Sequence, residues 1–187
     1  MAAPAQDADE MRRSALLSPC SRFRYYLERR WRHDGPVAVF VLCNPSTADA
    51  EQDDATVRKC VGFAKRWDCA AMVIVNPFAF RSRDPKALLA ETGDITGGIE
   101  NARWMLAAVE AALSTGGPYV VGWGEAMPRR LRAVAVDWVR GVLIDNTGDY
   151  VLRAQCLGRT ASGQPRHPLM LAYDTPLQPF HTRMRKP

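Results

Sequence analysis

The sequence predicts an α/β protein, a three-layer sandwich around a mostly parallel central sheet of four to five strands. Three observations lead there. Two short, unbroken apolar runs, Val37 to Leu42 and Met72 to Val75, are bounded by turn residues, as in strands covered on both faces. Between them Val57, Cys60, Val61, Ala64 and Trp67 recur at the spacing of one helical face. Strand, helix and strand within about 40 residues form a βαβ unit, and further strand and helix patterns alternate after it.

Taken in order, residues 1–18 are polar and Ala-rich and are expected to be a mobile leader. One domain is expected over 19–180, followed by a solvated basic tail at 181–187. Phe23 to Leu27 reads as a first strand, at an edge, before the turn His33-Asp-Gly-Pro36. Asp54 to Trp67 is the first helix, with Asp53 or Asp54 as a natural cap, since a carboxylate accepts the free N–H groups there and complements the dipole. Pro85 to Ala90 reads as a short helix and Ile99 to Leu113 as a longer, Ala-rich one. Tyr119 to Trp123 is a third core strand, and Leu131 to Val142 a helix with apolar Leu131, Val134, Ala135, Trp138 and Val142. A last strand is expected over Val151 to Leu157, leading into the loop 158–168.

Composition narrows the function classes. No apolar run approaches the roughly 20 residues of a membrane span, and the N-terminus lacks the order of a signal peptide, so no membrane partner and a cytoplasmic location are expected. The five cysteines show no CxxC and no histidine at a ligand spacing, so they read as core or near-core thiols rather than a disulfide framework or zinc site. The net charge is +5, and among the 25 basic residues only Lys59, Lys65, Lys86 and Lys186 are lysine. Guanidinium suits bidentate phosphate contacts, although a GC-rich coding sequence gives the same bias.

In an open parallel sheet the carboxyl ends of the strands share one edge, and ligands bind there. That edge would gather Asn44, Asn76, the 122–125 turn and the late loop with His167. The run Asn44-Pro-Ser-Thr-Ala-Asp49 closes the first core strand and Asn76-Pro77 closes the second, so one design occurs twice. Asn44 can orient a water or a carbonyl; Ser46 and Thr47 can donate to phosphate or satisfy their own turn. Asp49 is the candidate general base. Arg58 can pair with Asp54 at i, i+4 or reach an anionic ligand. Asn76 offers donors and an acceptor, which reading a nucleobase edge requires. Arg81, with Arg83 and Asp84, lies in a polar loop able to contact phosphate, and Trp123 at a strand end can stack on a ligand. His167, beside Arg166 and Pro168, can stabilise a developing anion or shuttle a proton.

Asn44-Pro-Ser-Thr-Ala-Asp49, Asp53-Asp-Ala-Thr-Val-Arg58 with Phe63 and Trp67, Val75-Asn-Pro-Phe-Ala-Phe-Arg81 with Asp84-Pro85, Cys156-Leu-Gly and Gly163-Gln-Pro-Arg-His-Pro-Leu169 together resemble the domain-of-unknown-function family 1643. The resemblance runs from Arg22 to Phe180 and brings no activity with it. A weaker resemblance is to the uracil-DNA glycosylase superfamily, whose α/β sandwiches carry a four-stranded parallel sheet. Asn44-Pro45 looks like its first motif, Asn76 like its base reader and His167-Pro168 like its final loop. Ser46 stands where those enzymes often have Gly, and Leu169 where the final loop has Ser.

These observations lead to a glycosylase-like hydrolase acting on an N-glycosidic bond of a nucleobase in nucleic acid or a nucleotide. Asn44 or Asp49 would place water, Asn76 would read the base and His167 would stabilise it as it leaves, with Pro45, Ser46, Thr47, Trp123, Arg58, Arg81 and Arg166 around the substrate. Such chemistry needs no metal or other cofactor. The alternatives are a non-catalytic nucleic-acid or nucleotide binding module, gripping phosphate through Arg58, Arg81 and Arg166, and a Mg²⁺-dependent phosphoester hydrolase using Asp49, Asp53 and Asp54.

Overall fold

A computed structural model describes residues 11–147 and 153–180. The strands are β1 (Arg12–Leu17), β2 (Arg24–Arg30), β3 (Val37–Val41), β4 (Ala71–Val75), β5 (Tyr119–Val121), β6 (Gln155–Cys156) and β7 (Gln178–Pro179). The helices are α1 (Ala55–Arg66), α2 (Gly98–Ser114) and α3 (Arg129–Thr147), and short 3₁₀ turns cover Pro85–Leu89 and Pro168–Met170.

The strands form one seven-stranded sheet in the order β1-β2-β4-β3-β5-β6-β7. Its centre is parallel: β4 with β3, β3 with β5, and β5 with β6. Its flanks are antiparallel, β1 with β2, β2 with β4, and β6 with β7. The expectation of a mostly parallel sheet of four to five strands is therefore corrected to a seven-stranded mixed sheet.

Two features of the sequence account for the difference. β1 lies in the segment expected to be mobile; Arg12, Arg13 and Ser14 are exposed, and the half-buried Ala15, Leu16 and Leu17 make too short an apolar run to betray a strand. It is held as an edge hairpin by pairing with β2 and by the ion pair Arg13–Asp53, 3.0 Å. The expected strand at 151–157 contracts to β6, and Val151 and Leu152, like residues 1–10 and 181–187, lie outside the described residues.

The three layers are present. Along β3 the side chains alternate, with Val37, Val39 and Val41 in a core under α2 and α3, and Ala38 and Phe40 in a core under α1 with Val57, Cys60, Phe63 and Ala64. Burial on both faces is why the strand reads as an unbroken apolar run. α1 starts where expected: Asp54 is its N-cap, its Oδ1 accepting from the Val57 N–H at 2.9 Å, and Lys65 and Arg66 occupy its last turn. Cys43, Cys60, Cys69 and Cys156 are buried free thiols, while Cys20 is exposed, away from the core expected for it. Among the described residues no helix is long and apolar enough to cross a membrane.

Candidate functional site

A cavity of about 410 Å³ opens at the carboxyl edge of the central strands. Leu42, Cys43 and Asn44 reach it from the end of β3, Ile74 and Asn76 from β4, Trp123 from the turn after β5, Asp54 to Val57 from the start of α1, and His167 with Leu169 from the late loop. The convergence expected from strand direction thus occurs for Asn44, Ser46, Asn76, Trp123 and His167.

Hydrogen bonding divides the roles of these side chains. The Asn44 amide nitrogen donates to the carbonyls of Ser82, 2.9 Å, and Pro45, 3.1 Å, so it stitches two loops together and leaves its oxygen as an acceptor. Pro45 is buried, and its carbonyl also accepts from the Ser82 N–H. Asn76 is fully buried; its side-chain oxygen accepts from Arg24 Nη2 at 3.3 Å, and its Nδ2 has no acceptor among the described residues. Its backbone carbonyl accepts from the buried Asn101 amide of α2, 2.8 Å, which anchors the end of β4 from the opposite layer.

His167 caps the 3₁₀ turn Pro168–Met170, its Nδ1 accepting from the Leu169 N–H at 3.3 Å. With Nδ1 an acceptor, the neutral ring carries its proton on Nε2. Burial pushes the imidazole down to about 4, against the opposing pull of Asp54, so the ring is neutral at pH 7. Asp54 spends one oxygen on the α1 N-terminus, and the other has no hydrogen-bond partner among the described residues.

The late loop is fastened to the end of β5. Trp123 Nε1 donates to Gln164 Oε1 at 3.0 Å, Ser162 donates to Glu125 at 2.6 Å, and the Gly124 N–H donates to the Pro165 carbonyl at 2.9 Å. Ser162, Thr160 and Arg132 hold the Glu125 carboxyl down to about 2. Trp123 is itself buried, edge-on to Phe180, so it is a wall of the cavity rather than an open stacking platform.

Other expected residues lie elsewhere. Asp49 is outside the cavity; its Oδ1 accepts the backbone N–H groups of Gln52 and Glu51, which hold the carboxyl below its ordinary range. Arg58 is exposed and donates to the Asp53 carbonyl at 2.6 Å rather than pairing with Asp54. Arg166 is exposed and outside the cavity lining. Thr47 and Arg81 line an adjoining open groove, where Arg81 donates to the carbonyls of Ser21, Ser46 and Thr47.

The three loop carboxylates do not converge. Asp49 closes its own turn, Asp53 is taken by Arg29 and Arg13, and Asp54 caps α1; among the described residues no group of three His, Cys, Asp or Glu is placed to hold a metal ion.

The sequence reading missed Arg24. It opens β2, is buried, and lines the cavity; Nη1 donates to the Ala48 carbonyl at 2.9 Å and Nη2 to Asn76. Because β2 runs antiparallel to β4, its first residue lies at the carboxyl edge of the central strands. The strand expected at an edge over 23–27 is instead an internal one, paired with β1 on one side and β4 on the other, and an arginine at its start gives no such signal in sequence.

Fold and site thus define an α/β sandwich protein with one polar, partly apolar-lined cavity at the strand ends. Residues 24–169 match the family described as Protein of unknown function (DUF1643), and the chain belongs to that family. No curated protein and no solved structure matches the chain.

Proposed function

We propose that the protein is a hydrolase that cleaves the N-glycosidic bond of a nucleobase-bearing ligand seated in the cavity. The observation that carries this reading is that Asn76 and His167, 91 positions apart (167 − 76), line one cavity with Asp54 between apolar walls. Leu42, Val57, Ile74 and Trp123 supply the apolar walls, and the cavity volume falls within the range usual for small-molecule sites. The motif resemblance to uracil-DNA glycosylases supports the same assignment of Asn44, Asn76 and His167.

In this mechanism the C1′–N bond breaks with its electron pair going to the base. His167 Nε2–H donates to the base anion without giving up its proton. A water held between the free oxygen of Asp54 and the Asn44 side-chain oxygen adds hydroxide to C1′, and its proton passes to Asp54. Donors set in advance where charge develops are worth several kcal/mol in enzymes. Asp54 takes the water-placing role considered for Asp49, because Asp54 lines the cavity.

The test is base release from single- and double-stranded DNA and RNA carrying uracil or hypoxanthine, and from nucleosides and nucleotides, with and without chelator. Release that survives chelator and is lost in His167→Ala is the expected result. Release in none of these substrates, or release indifferent to His167, overturns the reading.

A binding role without catalysis is the second reading. Arg83 favours it: its guanidinium has no partner among the described residues, and it lines both the cavity and the adjoining groove with Arg22 and Arg81. Binding that falls steeply with salt, is weakened by Arg83→Ala and comes with no base release would select it.

A further inference from the structure

Strand β2 buries two guanidinium groups, and the fold treats them differently. Arg29 is paired with a carboxylate, Asp53, at 2.7 Å, and its remaining N–H groups donate to backbone carbonyls. Arg24 is buried to a similar degree and, among the described residues, makes no ion pair; its two hydrogen bonds there go to neutral oxygens, the Ala48 carbonyl and the Asn76 amide. Burial lowers its proton affinity to about 10, which leaves it a cation at neutral pH, and Asp54 and Asp49 act on it only from a distance. A buried charge without a counter-charge is costly, and proteins keep one where something else supplies the balance.

The second observation concerns donors. Asn76 turns its oxygen to Arg24, which fixes the amide orientation and leaves Nδ2 without an acceptor, and Arg24 Nε is likewise buried and unpartnered. Other buried side-chain atoms, among them Asn101 Oδ1 and Tyr119 Oη, are likewise unpartnered, but Arg24 and Asn76 are adjacent side chains that both line the cavity. The unmet positions of these two side chains are both N–H groups, and Arg24 adds a positive charge to them, while the free oxygens of Asn44 and Asp54 line other parts of the cavity.

We infer that Arg24 and Asn76 form a donor-only subsite for an oxygen-bearing, electron-rich group of the ligand. On the glycosidic reading above, on which this assignment to a base rests, that group is the oxo face of the nucleobase. Uracil, xanthine and hypoxanthine present exocyclic carbonyl oxygens and can carry negative charge on them as the bond breaks. The amino groups of adenine and cytosine would set donor against donor. The pair therefore acts as a specificity filter, and Arg24 shares with His167 the charge that develops on the leaving base.

The experiment is equilibrium binding of free uracil, xanthine, hypoxanthine, cytosine and adenine, with inorganic phosphate and acetate as non-base oxyanions. It is read by calorimetry on the wild-type protein and on Arg24→Met and Asn76→Ala after circular dichroism has confirmed their folding. The expected result is oxo bases held about tenfold or more tighter than amino bases, with the difference erased in either variant. Oxyanion binding lost in both variants, with no base bound, would uphold the donor subsite and overturn the nucleobase assignment. Amino bases bound as tightly as oxo bases, discrimination that survives in both folded variants, or no probe bound would each overturn the inference. The wild-type comparison alone decides the matter if both variants unfold.

Discussion

Arg24 Nη2 donates to the Asn76 side-chain oxygen across 3.3 Å, tying the first residue of β2 to the residue that follows β4. The contact exists because the two strands are antiparallel, so the start of one meets the end of the other. It makes the base of the cavity a product of the mixed sheet, not of the parallel βαβ unit alone. Asn76→Ala removes the acceptor and leaves a buried guanidinium N–H unpaired. Urea unfolding should show a loss of about 1–3 kcal/mol, the usual cost of an unsatisfied buried group. An unchanged midpoint would mean that the contact contributes nothing to the fold.

Asp54 caps α1, and on the glycosidic proposal it also takes the water's proton; one substitution can separate the two. Asparagine is as good an N-cap as aspartate, so Asp54→Asn keeps the hydrogen bond to the Val57 N–H while removing the base. Base release should fall about 10²- to 10⁴-fold, the span of general acid–base contributions, with the melting temperature nearly unchanged. Asp49→Asn should leave release intact, because Asp49 lies outside the cavity and closes a turn. The reverse pattern would return the water-placing role to Asp49.

Asp53 is the counter-charge of the fully buried Arg29 and also holds Arg13 of β1. Asp53→Ala strands a buried cation and releases the edge hairpin from the loop before α1. Removing one partner of a buried pair costs about 3–5 kcal/mol, so this variant should be among the least stable of the set by denaturant titration. Arg13→Ala cuts only the partly exposed arm and should cost about 1 kcal/mol or less.

What the sequence disclosed follows from how each residue is buried. β3 and β4 are covered on both faces, so their runs of valine, phenylalanine, methionine and isoleucine announce them, and the polar residues that end them fall at one edge. The place of Asn44 and Asn76 at the cavity was legible on that ground, and that of His167 from its polar loop after the last strand. β1 was not, because an exposed arginine-rich edge strand has the composition of a solvated segment. Arg24 was hidden by strand direction, which composition does not encode. The occupied amide nitrogen of Asn44 and the turn that absorbs Asp49 depend on loop conformation, and residue type alone does not specify which side of a polar group is already taken.

His167 should make stability depend on pH in a defined window. Its ordinary value is 6.5, and burial in the folded state lowers it to about 4. As pH falls below 6.5 the unfolded chain takes up the proton first, so protonation favours unfolding. The contribution is present in full above 6.5 and lost progressively as pH drops through about 4. Urea midpoints measured across this range should fall less steeply in His167→Gln than in the wild type. Parallel curves would show that the ring is solvated in the folded state.

Gly124 sets how closely the late loop approaches β5. Its φ is +74°, and a Cβ there would stand 2.8 Å from His167 Cβ. Gly124→Ala therefore carries two penalties, the left-handed backbone, about 1–2 kcal/mol, and displacement of the loop that seats the imidazole. Gly116 provides the control: its φ is +73°, but an added Cβ meets nothing within 4 Å. Gly116→Ala should lose stability through the backbone alone and leave the His167 titration, followed by NMR, where it is in the wild type. Gly124→Ala should also move that titration up toward the ordinary imidazole value as the ring becomes hydrated, and base release should fall with it. Identical His167 titrations in the two variants would mean that the approach of Gly124 does not position the ring.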